Sequence, residues 1–161
     1  MLYLRWCGAA LLLICALICG REYSAYIDRR VREGEGYLSL LSYIEKMIDS
    51  YLTPLSEIFS GFECEALEKS GFLPSVRSGK TASEVLAEQN ALIPENMRSL
   101  LLDYFDGFGK GYKDSELGRT RKAKAELDKM LGAERENLDK SARVTKALLL
   151  GGAVGIAILI I

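Results

Sequence analysis

Both ends of the chain are apolar and the middle is not. Residues 6–20 and 147–161 carry no charge, whereas charged residues are spread through almost everything between them. Such a chain is a charged domain whose ends either enter lipid or bury themselves against something else. Length narrows the choice. Each run of 15 residues rises roughly 22 Å as a helix, short of a hydrocarbon core of about 30 Å. Extending the first run to Leu2 takes in Arg5; extending the second to Val144 takes in Thr145 and Lys146, whose long stem carries its charge toward the headgroups. Each run then reaches about 27 Å, enough to span. The expectation is an N-terminal transmembrane anchor at 1–20, a helical domain at 21–146 and a C-terminal transmembrane anchor at 147–161. A cleaved secretory signal is the rival reading of the first run, but no small-x-small cleavage site follows it and no lipobox precedes Cys7, Cys15 or Cys19. A buried core helix is the rival for the second, where the Ile-Leu-Ile-Ile at 158–161 favours lipid.

Orientation follows from the bases beside each run. Arg21, Arg29, Arg30 and Arg32 follow the first and Lys140, Arg143 and Lys146 precede the second, against Arg5 on the far side, so the middle domain is expected in the cytoplasm. Two antiparallel spans would set Ala16 and Gly20 at the depth of Gly151 and Gly155, two small-xxx-small pairs that permit close backbone approach. The net charge of −1 gives no bulk attraction to nucleic acid. The chain has no histidine, which removes the commonest general base and metal ligand. Of four cysteines, Cys7, Cys15 and Cys19 fall in the first apolar run and Cys64 stands alone, with no CxxC spacing. Neither a metal site nor a disulfide framework is readable, and no cofactor is expected.

The middle reads as helix almost throughout. Tyr37, Leu40, Leu41, Ile44, Met47, Ile48 and Tyr51 recur at three- and four-residue steps, one apolar stripe on an amphipathic helix. Thr53 before Pro54 is an N-cap followed by a residue suited to a first helical turn, predicting a short helix that buries Leu55, Ile58, Phe59 and Phe62. Another turn or two is expected at 64–69, closed near Gly71. Residues 72–80, with Pro74 and Gly79, read as the longest loop. Thr81-Ala-Ser-Glu84 is a capping box opening the next helix, with Val85 and Leu86 inward. After Pro94 a second stripe follows, Met97, Leu100, Leu101, Tyr104, Phe105 and Phe108, broken by Gly107, Gly109 and Gly111. From about Ser115 the chain can stay helical to its end, roughly 70 Å, with Gly118 and Gly132 each weakening it by about 1 kcal/mol. The expected fold is all-α, an antiparallel helical bundle with a transmembrane helix at each terminus.

Several motifs do not carry chemistry. Ser78-Gly79-Lys80-Thr81 ends like a phosphate-binding loop, but that pattern needs glycine where Pro74 stands. The glycines at 107, 109 and 111 have the wrong spacing for a dinucleotide fingerprint and follow a helix. Carboxylate pairs such as Glu63 with Glu65, or Glu134 with Glu136, lie two apart and diverge on a helix. No nucleophile, base and orienter assemble, so a non-enzyme without a small-molecule substrate is expected. Charge is segregated instead: Glu33, Glu35, Glu45, Asp49, Glu57, Glu63, Glu65 and Glu68 face only Lys46 over 33–68, while bases predominate over 110–129. These halves either attract each other across the bundle or serve as docking faces. Arg119, Arg121, Lys122 and Lys124 are the candidate contacts to a partner.

The short apolar N-terminus, the basic juncture at Arg29 and Arg30, the amphipathic helix leading into Thr53-Pro54-Leu55, the turn with Phe108-Gly109 and Asp114, and the final helix running into an apolar end resemble the stage III sporulation protein AB family. The resemblance covers nearly the whole chain; the Gly109-x-Gly111 spacing departs from the wider glycine spacing of the family. It implies a shortened relative of the platform protein F of type II secretion, with the same cytoplasmic helical bundle. A structural role would follow in the channel joining mother cell and forespore, in the mother-cell membrane. The implied partners are the stage III sporulation protein AA ATPase, other subunits of the sporulation channel and membrane lipid. A membrane-anchored receptor or scaffold that recruits a cytoplasmic protein outside any secretion system would share the same architecture.

Overall fold

A computed structural model describes residues 2–50, 55–89 and 91–160, and every regular element among them is an α-helix. Two long helices, α1 (Leu2–Ser50) and α7 (Lys113–Ile160), enclose five shorter ones in the chain: α2 (Leu55–Gly61), α3 (Glu65–Lys69), α4 (Phe72–Arg77), α5 (Ala82–Glu88) and α6 (Glu95–Gly107). Contacts divide the chain into two compact units, residues 29–133 and the paired ends 1–28 with 134–161.

In the 29–133 unit, burial follows the helical repeat. Tyr37, Leu40, Leu41 and Ile44 on α1 are fully buried, as the three- and four-residue spacing requires. Met97, Leu101, Tyr104 and Phe105 do the same on α6, and Ala123, Leu127 and Leu131 on α7. The centre is aromatic: the Phe72 ring lies 5.2 Å from Tyr37, 6.3 Å from Phe59 and 6.2 Å from Phe105, centroid to centroid. The α1 and α7 segments of this unit run antiparallel, since Glu45 meets Arg121 and Lys124 while Gly34 meets Leu131. Two glycines set how near the neighbours come. A Cβ on Gly34 would stand 2.7 Å from Leu131 Cδ1, and one on Gly36 would stand 3.0 Å from Leu67 Cγ and 3.2 Å from Cys64 Sγ.

The short helices need outside partners, because a helix of one or two turns leaves most of its terminal carbonyls unpaired. Three arginines supply them. Arg77 donates to Phe59 O at 3.2 Å and Phe62 O at 2.6 Å, closing α2. Arg98 donates to Leu86 O at 2.7 Å and Ala87 O at 2.6 Å, closing α5. Arg119 donates to Gly107 O at 2.5 Å and, more weakly, to Tyr104 O at 3.3 Å and Asp103 O at 3.4 Å, closing α6. A cation at a helix C-terminus also complements the helix dipole.

The loop expected at 72–80 is α4 for most of its length. Gly71, at φ 83°, makes the left-handed turn that separates α3 from α4. Pro74 then falls in the first turn of α4, where its missing N–H has no intrahelical partner to lose. Phe72 and Leu73 are completely buried, and that burial holds the helix despite its turn-rich sequence. The capping box is present: Glu84 N–H donates to Thr81 Oγ1 at 3.3 Å and Thr81 N–H donates to Glu84 Oε2 at 2.9 Å. Thr81→Ala is expected to cost about 1 kcal/mol in urea unfolding. The Glu84 carboxyl is held below its usual range by the Thr81 backbone and side-chain hydrogen bonds. Its contribution is therefore present above the unfolded carboxylate pKa and lost as pH falls through the folded one. Glu84→Gln should flatten that acid-side loss.

The paired ends form the second unit. Tyr23 Oη and Ser141 Oγ are 3.3 Å apart, and Leu149 reaches Gly20, so the two segments run antiparallel. Among the described residues no helix is long and apolar enough to cross a membrane, which does not bear out the two transmembrane helices expected from the sequence. Each charge-free run is 15 residues, about 22 Å of helix against a hydrocarbon core of about 30 Å. The runs are the apolar ends of helices that continue into charged sequence. In particular, α1 passes through the basic juncture at Arg29 and Arg30 without a break.

Candidate functional site

The four candidate docking residues lie close together on α7 and are used differently. Arg119 closes α6, as above, and stands 3.9 Å from Glu116. Arg121 and Lys124, three positions apart and so on one helix face, both reach Glu45 of α1, at 2.8 and 2.7 Å. Lys124 first, and then Arg121, holds the Glu45 carboxyl below the ordinary carboxylate range. Lys122 is exposed and makes no hydrogen bond or ion pair among the described residues. A groove of about 410 Å³ runs beside these pairs, lined by Leu38, Ser42, Glu45, Arg121, Lys124 and Asp128. Part of the charge segregation in the sequence is thus attraction within the domain, in which Lys122 takes no part among the described residues.

The turn between α6 and α7 is built to a fixed shape. Gly109 has φ 83°, a conformation suited to glycine. Glu116, almost fully buried, accepts from Gly111 N–H at 2.9 Å. Tyr104 Oη and Thr120 Oγ1 are 2.9 Å apart, both buried, and Thr120 also donates to Glu116 O at 2.8 Å. Burial raises the Tyr104 phenol above its usual range. Asp114 is exposed in the first turn of α7, where a negative charge favours the helix. On this turn Tyr112 stands 91% exposed. Thr53 and Pro54 lie outside the described residues, and Leu55 opens α2.

Ala16 is half-buried. A Cβ on Gly20 would be 4.0 Å from Leu149 Cδ1, an ordinary contact, and among the described residues nothing lies within 4 Å of one on Gly151 or Gly155.

Sequence reasoning placed Glu33 on an acidic surface, yet it is 3% exposed. Its Oε2 accepts from Leu92 N–H at 3.1 Å, tying α1 to the link between α5 and α6. Burial raises its carboxyl above the usual range, and the Leu92 hydrogen bond opposes that. The Tyr37 phenol, one turn along, is raised by burial and then by the charge of Glu33. The available signal was Glu33 standing four residues before Tyr37, on the same helical stripe.

A family model described as stage III sporulation protein AB matches residues 5–161. The chain belongs to that family. The match runs from the first apolar segment through the helical domain and into the last. No curated protein and no solved structure matches the chain.

Proposed function

We propose that this family member is a non-enzymatic membrane platform of the channel joining mother cell and forespore. In this reading it docks a cytoplasmic secretion-type ATPase, stage III sporulation protein AA, to the other channel subunits in the mother-cell membrane. The observation that carries the reading is the family match over 5–161, which includes both apolar ends and the domain between them. The side chains suit a scaffold. The polar groups of the candidate site, Glu45, Arg119, Arg121 and Lys124, are engaged in holding helices to one another.

Attachment to lipid rests on the apolar runs. Leu11, Ile14 and Ile18 share one face of α1 and are 56–64% exposed, and Leu148 and Val154 on α7 are 69% and 47% exposed. Large apolar groups left open together on one face mark a lipid or protein contact. In this reading the runs enter lipid, and the bases that flank them in the sequence favour a cytoplasmic domain. Native cysteines report this. Cys15 and Cys19 are exposed on α1, so in membranes both should resist a water-soluble maleimide until detergent is added. Labelling of both in intact vesicles at the rate of a free thiol would refute burial in lipid.

ATPase docking is tested by co-purification of the full chain, in detergent, with the AA ATPase, with and without nucleotide. Lys122→Glu is the informative variant, because Lys122 holds no bond among the described residues and its reversal leaves the Glu45 pairs intact. It should weaken capture roughly tenfold, about 1.4 kcal/mol, with helicity unchanged. Capture equal to wild type would move the interface off this face of α7. No capture of the wild-type chain would remove the platform reading.

A further inference from the structure

A second cavity, of about 400 Å³, opens between α1, α3 and the start of the α5–α6 link, and is lined by Arg29, Arg32, Glu33, Glu65, Lys69 and Leu92. Its volume is in the range that holds small ligands. Both signs of charge converge on it. Lys69 and Glu65 are paired with each other at 2.6 Å across one turn of α3. Glu33 has a different standing. Its side chain is almost wholly buried, Oε2 is taken by Leu92 N–H, and Oε1 has no hydrogen-bond partner. While ionised, a buried carboxylate oxygen without a donor is costly, and a partner that relieves the cost in that state brings an N–H or O–H. Next to Glu33 in the chain, Arg32 is exposed on the cavity and offers a guanidinium that can fork to an anion.

We propose that this cavity binds a small zwitterion, a primary amine within a few bonds of a phosphate or carboxylate, with the amine on Glu33 and the anion on Arg32. The pairing accounts for both features at once. A simple anion satisfies Arg32 and leaves Oε1 without a donor; a simple cation does the reverse. A quaternary ammonium has charge but no N–H, so it cannot satisfy Oε1 either. Two sources supply this chemistry: a phosphoethanolamine lipid headgroup and a free amino acid. The inference does not depend on ATPase docking.

The test is isothermal titration calorimetry on the full chain in a neutral detergent, with glycerophosphoethanolamine, glycerophosphocholine, glycerol phosphate and serine as probes. The expected result is binding of glycerophosphoethanolamine or serine, with glycerophosphocholine and glycerol phosphate at least tenfold weaker. Glycerophosphoethanolamine alone points to a lipid headgroup, serine alone to a free amino acid. Glu33→Gln should erase the preference for the primary amine, and Arg32→Ala, a change at an exposed residue, should weaken every anionic probe. If Glu33→Gln loses helicity, the wild-type selectivity and Arg32→Ala still decide. Equal affinity for all three phosphates would reduce the site to an anion site and overturn the proposal. So would binding by Glu33→Gln that matches the wild type, or no heat with any probe, which leaves water as the partner of Oε1.

Discussion

Phe72→Ala is expected to lower the unfolding free energy by about 3–5 kcal/mol, the range for deleting a buried aromatic ring. The residue is fully buried, and its ring meets those of Tyr37, Phe59 and Phe105, which come from α1, α2 and α6. Removing it withdraws one wall from three other rings and leaves a cavity that helices tied by Arg77 and Arg98 cannot easily close. Denaturation in urea, followed by helical circular dichroism, measures the loss. Phe72→Leu, which keeps most of the volume, should cost less than half as much. A loss under about 1 kcal/mol for Phe72→Ala would mean that α4 is not part of the cooperative core, in contrast to its burial.

That one residue also shows what local sequence can and cannot reveal. The stripe on α6 and the Thr81 capping box are read correctly because their signals are local: a repeat of three and four residues, and two side chains three apart. Residues 72–77 carry turn signals just as local, Pro74 among serines and a glycine, and those signals lose to contacts with α1, α2 and α6 that no window of sequence contains. Arg119 is a second instance. Its neighbours Arg121, Lys122 and Lys124 make it look like part of a basic docking face, but its partners are carbonyls at the end of α6, 12 to 16 residues back. Where that helix stops depends on the Gly109 turn and on Glu116 holding Gly111 N–H, and only then do the carbonyls point at the guanidinium. Gly34 and Gly36 were silent for a similar reason: glycine inside a helix reads as a weakness until Leu131 and Leu67 are seen against it.

The candidate site was legible in type and not in assignment. Two segments of opposite charge do meet, at Glu45, and the salt-dependent stability that follows belongs to that cluster. Lys122 is separated from the rest of its cluster only by three-dimensional contact, since nothing in the sequence distinguishes it from Lys124.

Arg98→Met is expected to cost about 2–3 kcal/mol, more than any of the surface ion pairs and nearly independent of salt. The substitution keeps the aliphatic stem and removes the two donors that reach Leu86 O and Ala87 O. Those carbonyls belong to the last turn of α5, a helix of 7 residues whose inner face, Val85 and Leu86, is completely buried. Without the guanidinium, one end of α5 loses the donor to a part-buried carbonyl, Leu86 O, and to a more exposed one, Ala87 O, while its other end still has the Thr81 cap. Arg98→Lys separates charge from geometry. An ammonium keeps the favourable interaction with the helix dipole, about 0.3–1 kcal/mol, but cannot fork to two carbonyls, so it should recover less than half of the loss. The same pair of variants at 0.05 and 0.5 M salt completes the test: a loss that shrinks with salt assigns Arg98 to its neighbour Glu95, 3.6 Å away, and a loss that does not assigns it to the carbonyls it closes.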